Sequence, residues 1–150
     1  MKRLIFCFWA LALCLGLAGQ TEISRETILR HPGWMTEYET HHPDREIIGH
    51  LRAGTFAEVH IDVYFAFWCV DSKINLPRFI KLLDILDMPV VPVKFYLVER
   101  KATPGTSTYV ESLHVTKIPT FIVYRNGSEI GRIVEYPKKD LARDFLEILR

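Results

Sequence analysis

The residues best suited to chemistry form the stretch Trp-Cys-Val-Asp-Ser-Lys from Trp68 to Lys73. The preceding run, His60–Tyr64, is rich in β-branched and aromatic residues and predicts a buried strand. From Lys73 to Met88, apolar residues recur at helical spacing with charges between them, which predicts an amphipathic helix. Cys69 is therefore predicted at a strand–helix junction, where unpaired N–H groups and the helix dipole favour a thiolate.

The neighbours of Cys69 are predicted to tune its reactivity. The residues expected to support it are Trp68, Val70, Asp71 and Lys73. Ser72 is placed to donate a hydrogen bond to the thiolate, Lys73 favours the thiolate modestly, and Asp71 opposes it. Trp68 is expected to supply packing. The alternative is that Cys69 is a small core residue, Ser72 a surface helix residue and Lys73 a solvated helix charge.

Three further features occur in order along the chain: Pro77, eight residues after Cys69; the segment Lys117-Ile118-Pro119-Thr120-Phe121; and the pair Asn126-Gly127. Together with Trp68–Lys73 they resemble the thioredoxin-fold family. The resemblance implies an α/β thioredoxin fold over residues 59–150, with a central mixed β-sheet flanked by helices. It also implies a cis bond before Pro119 and a substrate groove formed by Ile118, Pro119, Thr120 and Glu135.

The chain departs from the family pattern at three positions. Ser72 stands where the resolving cysteine is expected, Val63 replaces a buried acid, and Glu135 replaces a glycine near the groove. The first two belong together, because the acid assists proton removal from the resolving thiol and would otherwise be a desolvated charge. Asp62 is adjacent to Val63, but strand alternation predicts that it points to the opposite face.

Residues 1–18 predict a signal peptide, with a basic start, an apolar run from Leu4 to Leu17, and small residues before cleavage at Gly19. An uncleaved anchor and a lipoprotein modified at Cys14 are the alternatives. Cleavage would remove Cys7 and Cys14, so that the mature protein would hold Cys69 alone. We therefore expect an exported, periplasmic or secreted protein without stable membrane insertion, in which residues 19–58 form a helical N-terminal extension.

Composition limits the other classes of function. The chain of 150 residues is 49% hydrophobic and carries a formal charge of +1, which suits one domain and predicts no nucleic-acid partner. The histidines lack regular metal-ligand spacing and are predicted to be ordinary surface residues: His31, His41, His42, His50, His60 and His114. His60, at the start of the central strand, is the one expected to be partly buried. No metal and no cofactor are expected.

Patterning also predicts the remaining elements. The predicted helices are Ile23–Arg30, Pro43–Arg52, Thr108–Leu113 and a final amphipathic helix opened by Pro137. The predicted strands are Val90–Val98, parallel to the first, and the hairpin Phe121–Tyr124 with Glu129–Val134.

These expectations lead to a thiol–disulfide exchange protein that acts through Cys69 and mixed disulfides, as an isomerase or as a reductase with an external reductant. Its partners would be client proteins with disulfides or thiols, and an external thiol reductant. The alternative is a redox-silent, thioredoxin-fold binding module or chaperone-like protein that keeps the groove, in which Cys69 is dispensable.

Overall fold

The computed structural model describes residues 20–87, 91–100 and 110–150. The predicted features outside the described residues are the signal peptide with its cleavage site, Cys7, Cys14 and most of the loop Glu99–Ser107. Within the described ranges, no helix is long and apolar enough to span a membrane.

The described residues form a mixed sheet with the strands β1 (Gln20–Glu22), β2 (Val59–Phe65), β3 (Val93–Val98), β4 (Thr120–Arg125) and β5 (Ser128–Val134). Their order across the sheet is β1-β3-β2-β4-β5. The central strand β2 is parallel to β3 and antiparallel to β4, while β1 and β5 pair antiparallel at the two edges. The α/β class and the thioredoxin fold expected from the sequence are confirmed.

The helices are α1 (Arg25–Arg30), α2 (Met35–Thr40), α3 (Arg45–Arg52), α4 (Val70–Leu86) and α5 (Leu141–Leu149). A short 3-10 turn, Glu111–Leu113, occupies the end of the predicted helix Thr108–Leu113. Strand β1 and helix α2 were not predicted, because three residues and six residues respectively carry too little pattern.

Helix α4 carries the site and starts earlier than the sequence predicts. It begins at Val70 rather than Lys73, and Cys69, whose backbone is extended, occupies the N-cap position without a side-chain capping bond. Pro77 lies inside the helix and is buried. The helix ends at Asp87, whose φ of 50° places it in the left-handed region.

The prediction that Pro137 opens the last helix is wrong. Helix α5 begins at Leu141, because the Asp140 side chain caps it by accepting the Arg143 N–H at 2.9 Å. The buried Asp144 carboxylate accepts two further backbone N–H groups from the preceding loop, at 2.5 and 3.2 Å. These bonds fix residues 137–140 as a loop.

Helix α3 also begins later in the chain than the sequence predicts, by a smaller number of residues. Pro43 was expected in its first turn, but the helix begins at Arg45 after Asp44. The Asp44 carboxylate accepts the Glu46 N–H at 2.9 Å, so the aspartate is the cap and the proline precedes it.

Alternation along β2 separates two apolar clusters. Its residues Val59, Ile61, Val63 and Phe65 face the cluster that also contains buried residues of α1, α3, α4 and α5. Tyr64 and Ala66 belong to a second cluster with Ile118 and Ile122. Val63 is fully buried in the first cluster, whereas Asp62 lies half-buried on the other face, as expected. Burial raises the pKa of the Asp62 carboxyl, with His60 and Lys94 opposing the shift.

The hairpin between β4 and β5 turns at Asn126-Gly127, as the sequence predicts. Both residues have positive φ, 53° and 75°, which a tight hairpin turn requires and which these two residue types tolerate.

Candidate functional site

The sulfur of Cys69 lies at the start of α4, directly after the end of β2. The Cys69 N–H donates to the Ala66 carbonyl at 3.2 Å, and the Cys69 carbonyl accepts the Lys73 N–H at 3.0 Å, which closes the first helical turn. Cys69 is half-buried, and among the described residues it is the one cysteine, present as a free thiol. Its thiol donates to the Ile118 carbonyl at 3.3 Å. The junction predicted from the sequence is confirmed.

The segment opposite Cys69 contains a cis peptide bond between Ile118 and Pro119, as expected. The Thr120 hydroxyl donates to the Lys117 carbonyl at 2.7 Å and fixes the approach to the proline. The Pro119 carbonyl accepts the Glu135 N–H at 2.8 Å, which ties the segment to the residue after β5. The four predicted groove residues, Ile118, Pro119, Thr120 and Glu135, therefore form one connected group next to Cys69, in which Ile118 and Thr120 are buried.

Ser72 is one helical turn from Cys69 and is fully buried, with 0% of its surface exposed. Its hydroxyl oxygen accepts the Ala66 N–H at 3.4 Å, and it thus fastens the loop between β2 and α4 to the helix. This excludes the alternative in which Ser72 is a surface helix residue. The bond from Ala66 uses the hydroxyl oxygen and not its proton, so the predicted donation from Ser72 to the Cys69 thiolate stays a prediction.

Three exposed apolar side chains, here called the rim, lie near Cys69: its chain neighbours Trp68 and Val70, and Tyr136, which bonds Asp71. Their exposed fractions are 42%, 69% and 60%, which are high for side chains of this size. The sequence predicts a packing role for Trp68, but the Trp68 ring lies at the surface. The Arg100 guanidinium lies over this ring, 4.7 Å from the ring centroid. Tyr136 and Arg100 were not predicted.

Two contacts between polar side chains lie near the site. The Lys117 ammonium lies 2.5 Å from the Glu135 carboxylate, and the Tyr136 hydroxyl donates to Asp71 on α4. That bond to Asp71 is the main reason why the pKa of Tyr136 is raised. The Lys73 ammonium lies near Gly33, where an added Cβ would be 3.0 Å from its Nζ.

Residues before β2 support the loop that holds Cys69, which the sequence did not predict. Trp34 is 1% exposed and packs edge-on against Phe65 and Phe67, with ring centroids 6.1 and 5.3 Å apart. His31 stacks on Phe67 at 4.3 Å, and its buried Nδ1 has no hydrogen-bond partner. The interpretation of His31 as an ordinary surface histidine is wrong, because it packs beneath the active loop.

Asn75 is a further residue that the sequence did not single out. Its buried side-chain amide donates to the carbonyls of Asp71 and Glu135, at 3.1 and 3.2 Å. A polar residue on the buried side of a predicted helix was the available signal, since such a residue needs partners from another element. In the part of the chain that the structure describes, no three metal-ligating side chains cluster.

Comparison with known proteins gives similarity in structure only. No protein-family model matches the chain, and no curated protein sequence matches it. A protein of unknown function from Pseudomonas aeruginosa has a TM-score of 0.56 at 15% identity, with 85% of each chain covered.

Two thioredoxins are also similar. Fasciola hepatica thioredoxin has a TM-score of 0.44 at 20% identity, covering 63% of this chain and 83% of that one. Chlamydomonas reinhardtii thioredoxin f2 has a TM-score of 0.38 at 20% identity, covering 52% and 67%. At these identities the similarity concerns the fold alone, and the chemistry of the site has to be argued from its own residues.

Proposed function

We propose that this chain is an exported thioredoxin-like protein that exchanges thiols and disulfides through a single nucleophilic cysteine, Cys69. The observation that carries the proposal is the position of the sulfur, half-buried at the N-terminus of a helix of 17 residues and 3.3 Å from the Ile118 carbonyl. A helix N-terminus stabilises a thiolate, and the thiolate is the nucleophile in disulfide exchange. The resemblance implies that the backbone beside Pro119 pairs with an extended client segment, which is a common mode of peptide recognition.

The reaction begins when the Cys69 thiolate attacks one sulfur of a client disulfide. A new bond forms between Cys69 and that client sulfur, the client S–S bond breaks, and the second client sulfur leaves as a thiolate. No net oxidation or reduction has occurred at this stage. Ser72 cannot attack the mixed disulfide, so release needs the client's own thiol or an external thiol such as glutathione. On the first route a different client thiol attacks the client sulfur of the mixed disulfide, which rearranges the client disulfide and frees the Cys69 thiolate. On the second route an external thiol attacks the Cys69 sulfur and the client leaves as a thiol; a second external thiol then frees Cys69, and the two external thiols end as a disulfide.

Export is supported by the sequence of residues 1–18, with its charged start, short apolar run and small residues before Gly19. Client proteins with disulfides are concentrated in oxidising compartments, which fits this chemistry. Intact-mass measurement on protein exported by the native host tests the assignment. A chain starting near Gly19 supports it, and a mass that retains Met1 or a lipid on Cys14 contradicts it.

A redox-silent binding module is the second candidate, and the exposed rim of Trp68, Val70 and Tyr136 favours it. Apolar side chains with 42–69% of their surface exposed suit the binding of a client segment whether or not a bond forms. In that case Cys69 would contribute packing, and its removal would leave client binding intact.

One capture experiment distinguishes the two candidates. Tagged protein and the variant Cys69→Ala are incubated with an extract of the export compartment, and captured proteins are compared on gels with and without reductant. The exchange proposal predicts client adducts that reductant releases and that Cys69→Ala lacks. Equal capture by both proteins, unaffected by reductant, would instead establish the binding module.

A further inference from the structure

Glu135 holds an unusual position beside the cysteine. Its φ is 58°, a left-handed conformation that residues with a Cβ rarely adopt. Its N–H donates to the Pro119 carbonyl at 2.8 Å, and its own carbonyl accepts the Asn75 side chain at 3.2 Å. These two bonds anchor the backbone of Glu135 between the cis-proline and helix α4. The side chain that carries the carboxylate therefore extends from an anchored backbone.

The partner of that carboxylate is held much less firmly. Lys117 lies 2.5 Å from Glu135, but 58% of the lysine side chain is exposed, against 29% for the glutamate. A lysine has four rotatable bonds and a strongly hydrated ammonium, and exposed pairs of this kind are weak. The carboxylate is therefore the less exposed charge of the pair and belongs to a residue with an anchored backbone, which makes Lys117 the member more easily exchanged for another cation.

The surroundings of Glu135 also suit a cation. Tyr136, with 60% of its surface exposed, lies beside Glu135 and Asp71 and offers an aromatic face. Of the other basic side chains near this part of the chain, Arg100 is engaged by the Trp68 ring, and Lys73 lies close to Gly33.

We propose that Glu135 is a specificity-determining residue that selects client segments with a lysine or arginine next to the attacked cysteine. The client cation replaces Lys117 at the Glu135 carboxylate while the client backbone lies along Ile118. This inference rests on the proposed exchange function, since it names the class of client that the same groove takes.

The test uses three disulfide-bearing peptides that are identical except for lysine, glutamine or glutamate directly after the cysteine. Each carries the same aromatic thiol as leaving group, so attack by Cys69 forms a peptide–Cys69 disulfide and releases the aromatic thiolate. Release is followed by absorbance, and the adduct is identified by mass. We expect the lysine peptide to react about fivefold faster than the glutamate peptide at low salt, with the preference shrinking as salt is added. The ratio of the two rates cancels any change in the intrinsic reactivity of Cys69.

Three variants test whether the Glu135 carboxylate causes the preference for the lysine peptide. Glu135→Gln keeps the size of the side chain and should reduce the ratio to below about twofold. Lys117→Gln removes the competing cation and should increase the ratio. Glu147→Gln is the matched control and should leave the ratio unchanged. Glu147, on α5, forms a Lys–Glu pair of the same 2.5 Å length with Lys139 in the loop before that helix.

An unchanged ratio in Glu135→Gln, no increase in Lys117→Gln, or a preference for the glutamate peptide would overturn the inference. Absence of any adduct would refute the exchange function but not the selection. The selection is then measured by fluorescence anisotropy, with labelled peptides that carry serine in place of cysteine. Binding in the order lysine, glutamine, glutamate supports the inference, and any other order overturns it.

Discussion

Replacing Ser72 with cysteine should convert a long-lived mixed disulfide into one that the protein releases by itself. The residue follows Cys69 by one helical turn, where side chains are neighbours with about 5–6 Å between their Cβ atoms. Small movements at the helix start bring two sulfurs at these positions within bonding distance, about 2 Å. The new thiol attacks Cys69, a disulfide forms between the two, and the client leaves with its thiol reduced.

The size of the effect follows from the position of residue 72. A thiol tethered this closely has an effective concentration of at least about 1 mM. Ser72→Cys without added thiol should therefore release its client at least as fast as the native protein does in about 1 mM glutathione. Because residue 72 is 0% exposed and Val63 supplies no carboxylate, burial raises the pKa of the new thiol. Release should accordingly accelerate about tenfold per pH unit from about pH 6 to about pH 8.

The assay starts from the purified adduct of Cys69 with a peptide, freed of excess reagent. Peptide release is followed by chromatography at several pH values, with Ser72→Ala as the matched control that fills the same position without a thiol. Equal adduct lifetimes in Ser72→Cys and Ser72→Ala would refute the geometry assigned to this helical turn.

Three further predictions concern aspartates. Asp71→Asn should increase the alkylation rate of Cys69 at about pH 6 by no more than about threefold, since the Tyr136 hydroxyl already donates to that carboxylate. A slower rate would contradict the expectation that the Asp71 carboxylate disfavours the thiolate. Burial raises the pKa of Asp62 above its unfolded value of 3.8, so the folded state is penalised once the group ionises. Asp62→Asn should therefore raise the free energy of unfolding at neutral pH, and urea titrations should show the gain vanish below about pH 4; a gain that persists there would exclude a titration effect. Asp144→Ala removes a carboxylate that is 7% exposed and leaves two loop N–H groups unpaired. It should lower the free energy of unfolding by about 2–4 kcal/mol. A loss below about 1 kcal/mol would show that these N–H groups find other partners.

The sequence predicted the central part of the fold because its signals there are strong and local. The strand His60–Tyr64 and the following helix have clear periodicities, and both exist with shifted ends. The cis bond before Pro119 and the turn at Asn126-Gly127 followed from the resemblance and are present.

The errors arose where side chains compete with the local pattern for backbone groups. Pro137 is a favourable first residue for a helix, but the carboxylates of Asp140 and Asp144 bind the backbone of this segment and delay the helix to Leu141. A short strand such as β1 depends on pairing with β3, and pairing between distant segments leaves no trace in a run of three residues.

The part of the site made by contacts between distant segments was also beyond prediction. Glu135 was recognised as a departure, but its pairing with Lys117 depends on the fold bringing two loops together. The support of the active loop by His31 and Trp34 has the same origin. Aromatic residues in an N-terminal segment carry no indication of which part of the chain they cover.

The central claim is that its position makes Cys69 a nucleophile. The most direct test is the rate at which Cys69 reacts with a neutral alkylating reagent at about pH 6, compared with free cysteine under the same conditions. It is accompanied by intact-mass detection of an adduct with a peptide disulfide and by Cys69→Ala as a blank. The account predicts a rate clearly above that of free cysteine and an adduct confined to the native protein. A rate no higher than that of free cysteine, with no adduct from any peptide disulfide, would contradict it.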